Sequence, residues 1–292
     1  MIGIVFALLA ALAYSFSVVI VRKRLQESNF FSVALVLTVT GNIILWPIAL
    51  LFTNLRTVNL EGVFFFAISG ILAPGIARLL YFKGMEVVGA ALNASIFATY
   101  PIYVSIFAIL FLSEALALEN WFGIICIVVG VVLIERSLSK PIIGSKRPFK
   151  KSLVYPLLAT LTRALSAILR KHGLNIYNEP FLGVAIGYSS TLLLYLPILI
   201  SSHTTRESMF SGKDFRLFWK VGVYMSLGWV LAFYSLSHER VSIVTPLMQT
   251  QPLFILFFSY LYLKELEHIS FKLVISTLLI VIGVMFISIR GF

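Results

Sequence analysis

Charge is scarce in this chain, and negative charge above all. Of its 292 residues only 12% are charged, with 12 Asp and Glu against 23 Lys and Arg. Asp214 is the sole aspartate. A soluble domain carries about 25% charged residues to cover its surface, so the composition excludes an ordinary soluble enzyme and a disordered chain. Cysteine is scarcer still. Cys126 stands alone in an apolar run, which excludes an internal disulfide framework and a cysteine metal cluster and leaves core packing as its reading. The four histidines, His172, His203, His238 and His268, fall at run ends or in gaps without metal-ligand spacing. His-Glu-x-x-His, Walker, dinucleotide and Asp-rich prenyl-transfer motifs are all missing. Acids and bases held together, or a metal, are what most hydrolytic and phosphoryl chemistry needs. The sequence therefore argues against an enzyme and against a self-contained ATP-driven pump, and it implies no cofactor and no metal.

What is present is apolar surface. Hydrophobic residues make up 60% of the chain, and the mean hydropathy is +0.99. A bilayer-crossing helix needs about 20 mostly apolar residues. Ten such runs are found near 2–21, 32–52, 62–82, 89–112, 120–136, 152–171, 180–200, 217–236, 241–263 and 270–289. They are continuous and not alternating, which favours helices over a β-barrel. The first run starts at Ile2 with no basic stretch before it, so it reads as a retained helix and not a signal peptide. The longest polar gaps, Arg136–Lys151 and Ser201–Arg216, leave no room for a folded extramembrane domain. The expectation is an all-α polytopic protein of the cell membrane, with the lipid bilayer as its surroundings.

The net charge of +11 sits in the gaps between runs, so it reads as membrane topology and not as nucleic-acid binding. Let side A be the side of the first residue. Side B then receives Arg22, Lys23, Arg24, Lys83, Arg136, Lys140, Lys146, Arg147, Lys150, Lys151, Arg206, Lys213, Arg216, Lys220, Lys264 and Lys272. Side A receives Arg56, Arg170, Lys171, Arg240 and Arg290. By the positive-inside rule side B is cytoplasmic and both termini are outside.

The two halves repeat one another. Arg22-Lys23 matches Arg170-Lys171, and Pro47 matches Pro197. Pro101 and Glu114 match Pro252 and Glu265 with equal spacing, and Gly130-Val131 matches Gly283-Val284. The offsets, 148, 150, 151 and 153, rise steadily along the chain, as loop insertions after a duplication would produce. Repeats of 1–140 and 150–292 each hold five runs. An odd number makes the second enter from the opposite side, the inverted arrangement of many secondary transporters.

The stretch Ala94-Ser95-Ile96-Phe97-Ala98-Thr99-Tyr100-Pro101, continuing to Leu112-Ser113-Glu114 and then Gly123 and Gly130, resembles the EamA-type repeat of the drug/metabolite transporter superfamily. A weaker copy runs from Val241-Ser242-Ile243-Val244-Thr245-Pro246 through Gln251-Pro252 to Lys264-Glu265. The resemblance implies ten helices around a central cavity and transport of a small metabolite, and it says almost nothing of the substrate. It implies cytoplasmic termini, opposite to the charge count.

Intramembrane polar residues are the site candidates, because each needs a partner or an aqueous cavity. Arg163, about eleven residues into the sixth run, is too deep to reach either surface easily. Its partner is a backbone carbonyl, a tyrosine, water or an anionic group of the substrate. Tyr100 and Gln251 occupy equivalent positions just before a proline. With Asn93, Gln249, Tyr14, Asn42 and Trp229 they are the expected cavity lining. Ser17, Thr99, Tyr188, Tyr224 and Thr245 are further polar candidates. Arg78, Tyr81 and Lys83 form a polar cluster at the side-B mouth, with Glu86 close by. Pro101 and Pro252 are expected kinks or hinges. Glu114 and Glu265 read as satisfied helix-end carboxylates or as latches between repeats.

These features point to a secondary transporter that moves a small solute, an amino acid or other carboxylate, by alternating access. The first run holds Tyr14, Ser15 and Ser17 but no acid, so proton coupling through a mid-membrane carboxylate is not expected. The alternatives are a channel or lipid scramblase of the same fold and a non-transporting scaffold. A monomer is expected, with a homodimer as the alternative.

Overall fold

A computed structural model describes residues 2–24, 28, 30–137, 150–201, 212–254, 257–258 and 271–288. Among these residues the chain is helical and has no strand. The helices are α1 (Ile2–Arg24), α2 (Phe30–Phe52), α3 (Leu60–Gly70), α4 (Ala77–Val88), α5 (Ala90–Phe97) and α6 (Tyr100–Leu112) in the first repeat, with α7 (Leu118–Ser137) closing it. The second repeat holds α8 (Val154–Ile176), α9 (Pro180–Ser201), α10 (Lys213–His238), α11 (Val241–Met248) and α12 (Phe271–Ser288). A distorted segment, Ile71–Ile76, joins α3 to α4. The pairs α3–α4 and α5–α6 are the third and fourth spans, and α11 with the helical turn at 251–254 begins the ninth.

Five stretches are long and apolar enough to cross a bilayer: Phe30–Phe52, Leu60–Val88, Leu92–Leu112, Pro180–Ser201 and Lys213–His238. Shorter apolar helices lie at Ile2–Ser17, Leu118–Ile134 and Ile275–Ser288. The sixth span is the exception in character. Arg163, Arg170 and Lys171 interrupt its apolar run, yet much of its surface is covered by other helices. The outside of the bundle carries exposed large hydrophobics on many helices, such as Leu51, Leu110, Leu118, Leu193, Ile200 and Met285. In water such a surface is an aggregation hazard; in a bilayer it is the lipid-facing coat.

Packing follows the repeat symmetry. The first span lies against the eighth (α1 on α10), and its mate, the third against the sixth, is also present (α3 and α4 on α8). The second packs on the eighth and the third on the seventh. The first meets the ninth and the fourth meets the sixth. The second and seventh, fourth and ninth, and fifth and tenth spans pair with their own mates. The extensive interfaces therefore run between repeats, and the two halves are interleaved.

Small residues set the closest approaches, as expected where lipid gives helices no hydrophobic drive to associate. At the α7–α12 crossing, a Cβ on Gly123 would sit 2.7 Å from the Gly283 carbonyl oxygen. One on Gly130 would sit 2.8 Å from the Ser276 oxygen. The offset that relates Gly130 to Gly283 also relates Gly123 to Ser276, so these are the same contact seen from each repeat. At the centre, Gly70 of α3 lies against Gly187 of α9, where an added Cβ on Gly70 would meet the Gly187 oxygen at 2.1 Å. The reverse substitution meets nothing closer than 3.5 Å, an ordinary contact. Gly70→Ala is therefore expected to cost about 1–3 kcal/mol, the usual range for overpacking, and Gly187→Ala much less. Thermal unfolding of the two detergent-solubilised variants measures the difference; equal losses would contradict this packing.

Candidate functional site

Among the described residues three spans are broken. In the fourth, α5 ends at Phe97 and α6 restarts at Tyr100, with Pro101 in its first turn. The ninth does likewise: α11 ends at Met248 and helix resumes at 251, with Pro252 buried in that turn. A kink or hinge is expected at each proline, and the helix is interrupted for two residues just before it. Proline in a first helical turn forfeits no hydrogen bond, since that N–H has no intrahelical partner. The third span breaks at Ala73, whose backbone is extended (φ −152, ψ 122), ahead of Pro74 and Gly75. Its equivalent in the second repeat, α10, is unbroken.

Carbonyls released by the third-span break are taken up by hydroxyls of the other repeat. Thr191 Oγ1 donates to the Gly70 oxygen at 2.8 Å, and Tyr195 Oη donates to Gly75 at 2.9 Å. Ser166 Oγ of α8 lies 2.8 Å from the Ser69 oxygen and 3.2 Å from that of Ala73. Non-helical backbone at membrane depth persists only where such partners exist.

Ser166 also accepts from Arg170 Nη2 at 3.2 Å. Arg170 was counted among the side-A loop charges, but α8 runs on to Ile176 and carries it into the interior, where it is 4% exposed. Its guanidinium lies 4.4 Å from the Trp229 ring centroid and 4.9 Å from that of Phe233. Arg163, two turns earlier on α8, lies 5.0 Å from the same Trp229 ring and 5.5 Å from Tyr100. Trp229 is thus a shared face for two cations, an attraction between cation and ring quadrupole that strengthens on desolvation. Tyr14 and Tyr188 stand edge-on to Trp229, at 6.2 and 6.3 Å between centroids. Gly228 leaves room for the Tyr14 ring, and Gly41 for that of Tyr188. Both arginines act electrostatically on Tyr14 and Tyr100. Among the described residues no carboxylate acts on Arg170. A narrow cleft lined by Ser69, Gly70, Pro74, Tyr188, Trp229 and Phe233 adjoins this cluster.

The structure thus brings together Arg163, Tyr14, Tyr100 and Trp229 from the expected cavity lining, and adds Arg170, Ser166, Tyr188 and Phe233. Tyr100 Oη donates to the Thr245 oxygen at 3.3 Å, joining the two broken spans. The other candidates stand elsewhere. Asn93 is fully buried against Gly84 and donates to the Tyr81 oxygen at 3.1 Å, so it fastens α5 to α4. Asn42 donates to Thr38 and accepts from Ser189, which accepts from Trp46, a polar ladder between α2 and α9. Gln249 caps α11 through its backbone N–H, and Gln251 opens the next turn, half-buried. Arg78 donates to the Ala34 oxygen and Thr38 Oγ1 and lies 3.6 Å from Met225 Sδ. Tyr81 packs on Phe97. Lys83 pairs with Glu86 at 3.0 Å on the surface. Arg78, Tyr81 and Lys83 therefore share α4 without forming one cluster. Glu265, His203 and His268 lie outside the described residues.

Side A is fastened by charged groups. Ser113 adopts a left-handed backbone (φ 54) after α6, turning the chain so that Glu114 reaches the start of α11. Its carboxylate accepts from Val241 N at 2.9 Å, Ser242 N at 3.2 Å and the Ser242 hydroxyl. A carboxylate there satisfies orphan N–H groups and meets the positive end of the helix dipole. Arg240 Nη1 donates to Ala115 at 2.5 Å, and Lys171 Nζ donates to the Leu236 and Glu239 oxygens at 2.7 and 3.0 Å.

Broken helices at equivalent places, inverted five-span repeats and a buried polar cluster between them define a two-repeat membrane transporter fold. Comparison with known proteins gives the family. The EamA-like transporter family matches residues 1–136 and again 150–289, and the chain belongs to that family. An uncharacterized transporter of Archaeoglobus fulgidus is 28% identical over 289 residues, 98% of this chain and 97% of that protein. An uncharacterized transporter of a Sinorhizobium species, from a cobO 3′ region, is 40% identical over 70 residues, 24% of this chain and 49% of that protein. A solved crystal structure shares the fold with a TM-score of 0.71 at 13% identity, covering 98% of this chain and 96% of its own.

Removing the Glu114 carboxylate is expected to loosen side A. In a Cys126→Ala background, a cysteine replacing the buried Thr245 should react with a polar maleimide several-fold faster when Glu114→Ala is added. Unchanged reactivity would show that this carboxylate holds nothing shut.

Proposed function

We propose that this membrane transporter is a secondary carrier for a small carboxylate-bearing solute, working by alternating access across the cell membrane. The observation that carries the reading is the pair of guanidiniums, the buried Arg170 and the partly buried Arg163, that share the Trp229 ring, with no carboxylate among the described residues acting on Arg170. A charge at mid-membrane depth costs about 3 kcal/mol or more, and such positive charge favours a negatively charged ligand. A lipophilic cation is disfavoured for the same reason.

The interleaved repeats support a rocking motion. Side A is held by Glu114, Arg240 and Lys171, which bridge α6 or α8 to the α10–α11 junction. Opening there would exchange these bonds for water, while the opposite side closes. The protein would act as a monomer, since the polar cluster is assembled from both repeats of one chain.

The test is flux in proteoliposomes against a panel of carboxylates. Arg163→Ala is expected to lower transport at least ~10-fold, the scale of a lost charge-assisted hydrogen bond, in a variant that keeps its unfolding temperature. Full activity in that variant would remove Arg163 from the site. A pH difference alone is expected to drive no accumulation, and accumulation under that condition would overturn the absence of proton coupling. Counterflow of preloaded solute separates a carrier from a channel.

A further inference from the structure

We propose that Arg163 and Arg170 form a two-point site for a short dicarboxylate without an amino group, one guanidinium taking each carboxylate. This rests on the transport reading above and narrows its substrate class.

The first support is geometric. The residues Arg163, Ser166 and Arg170 form one stripe of α8, because positions seven apart return to the same helix face. Both guanidiniums lie over the one Trp229 ring, 5.0 and 4.4 Å from its centroid, so they stand no further apart than the sum of those distances. They are nevertheless separately held. Arg163 is flanked by Tyr100 and Arg170 by Phe233. Two positive groups kept apart match two negative groups joined by a short linker.

The second support is unmet bonding capacity. Arg170 Nε is buried with no hydrogen-bond partner among the described residues, as is the Tyr14 hydroxyl. Each is a group more than nine-tenths buried whose isolation costs free energy, and each borders the same tryptophan. A carboxylate at Arg170 would accept from the free Nε, and the Tyr14 hydroxyl is a second donor beside the ring.

The third support is charge. The mutual repulsion of the two guanidiniums is relieved by two negative charges more fully than by one. A single phosphate would draw both guanidiniums onto one group and so increase that repulsion. An acidic amino acid brings an ammonium toward two cations, with no carboxylate among the described residues acting on Arg170 to receive it.

The experiment uses the purified full-length protein and measures binding of four probes by calorimetry: succinate, its monomethyl ester, aspartate and inorganic phosphate. Succinate is expected to bind at least 10-fold more tightly than each of the others. Arg170→Gln should cost succinate at least 10-fold more than it costs the monoester, and Arg170→Lys should recover part of the difference. Equal losses for diacid and monoester would overturn the two-point site, as would phosphate or aspartate binding as well as succinate. If Arg170→Gln does not assemble, the diacid-to-monoester ratio in the unaltered protein decides alone. Monocarboxylate flux without a diacid preference would refute this inference and leave the transport reading standing. Diacid binding without flux would do the reverse.

Discussion

Two guanidiniums sharing one tryptophan face inside a helical bundle, with no carboxylate among the described residues acting on Arg170, are the constraint around which this molecule is arranged. A lone charge at that depth is expensive, and two of like sign repel in a medium that screens poorly. The fold meets the difficulty with what an apolar chain has available. Trp229, Phe233 and Tyr100 offer ring faces. Ser166 relays Arg170 to the carbonyls of Ser69 and Ala73. Those carbonyls are accessible because the third span breaks there. The discontinuity at Ala73–Pro74 and the burial of Arg170 are therefore one feature: the break presents backbone dipoles, and the serine turns them toward the cation.

The same logic explains why the broken spans do not fray. Each interruption frees polar groups that lipid cannot satisfy, and each is met by a partner from another helix. Thr191 and Tyr195 serve the third span. Tyr100 of the fourth span reaches the Thr245 oxygen of the ninth. Thr99 and Thr250 serve carbonyls of their own spans, but at the third-span break the partners come from the opposite repeat. The duplication is thus visible in sequence as two similar halves but is physically one folding unit. The symmetry is also incomplete. The fourth and ninth spans share a break, whereas the third is broken and the eighth, α10, is continuous. An unbroken α10 keeps Trp229 and Phe233 one turn apart on a rigid surface, which suits a helix that must hold two cations.

The ten spans and the duplication were legible because apolar runs and the ordered Pro, Glu and Gly matches are long-range regularities of composition. Arg163 was legible because its depth from either end of the run left it no exit. Arg170 was not, since its pairing with Lys171 looked like a loop boundary; only the extension of α8 to Ile176 places it inside. The spacing of Arg163, Ser166 and Arg170 held the signal as a helical stripe. Symmetry served less well for Gln251. Equivalence with Tyr100 fixes its place along the span, but the span's rotation after the break depends on packing that no repeat pattern encodes. Asn93 and Asn42 show the other limit. A buried amide must find partners, yet the requirement is equally well met by a neighbouring helix, as at the Tyr81 oxygen and at Ser189.

The fastening of side A would suit the alternating access proposed above. Glu114, Arg240 and Lys171 bind mainly to backbone groups at helix ends. A hydrogen bond to a charged group contributes about 1.5–3 kcal/mol net, so a few of them hold a closed face without making it permanent. The central arginines differ in kind, because they are held by ring faces and by a buried serine and not by helix-end backbone. Separation at the surface and retention at the centre would let the repeats pivot about α8 and α10 while the cluster around Trp229 stays whole. In such a motion the site keeps its charge and its rings, and only its access changes. That is the physical requirement for moving a solute without opening a continuous path.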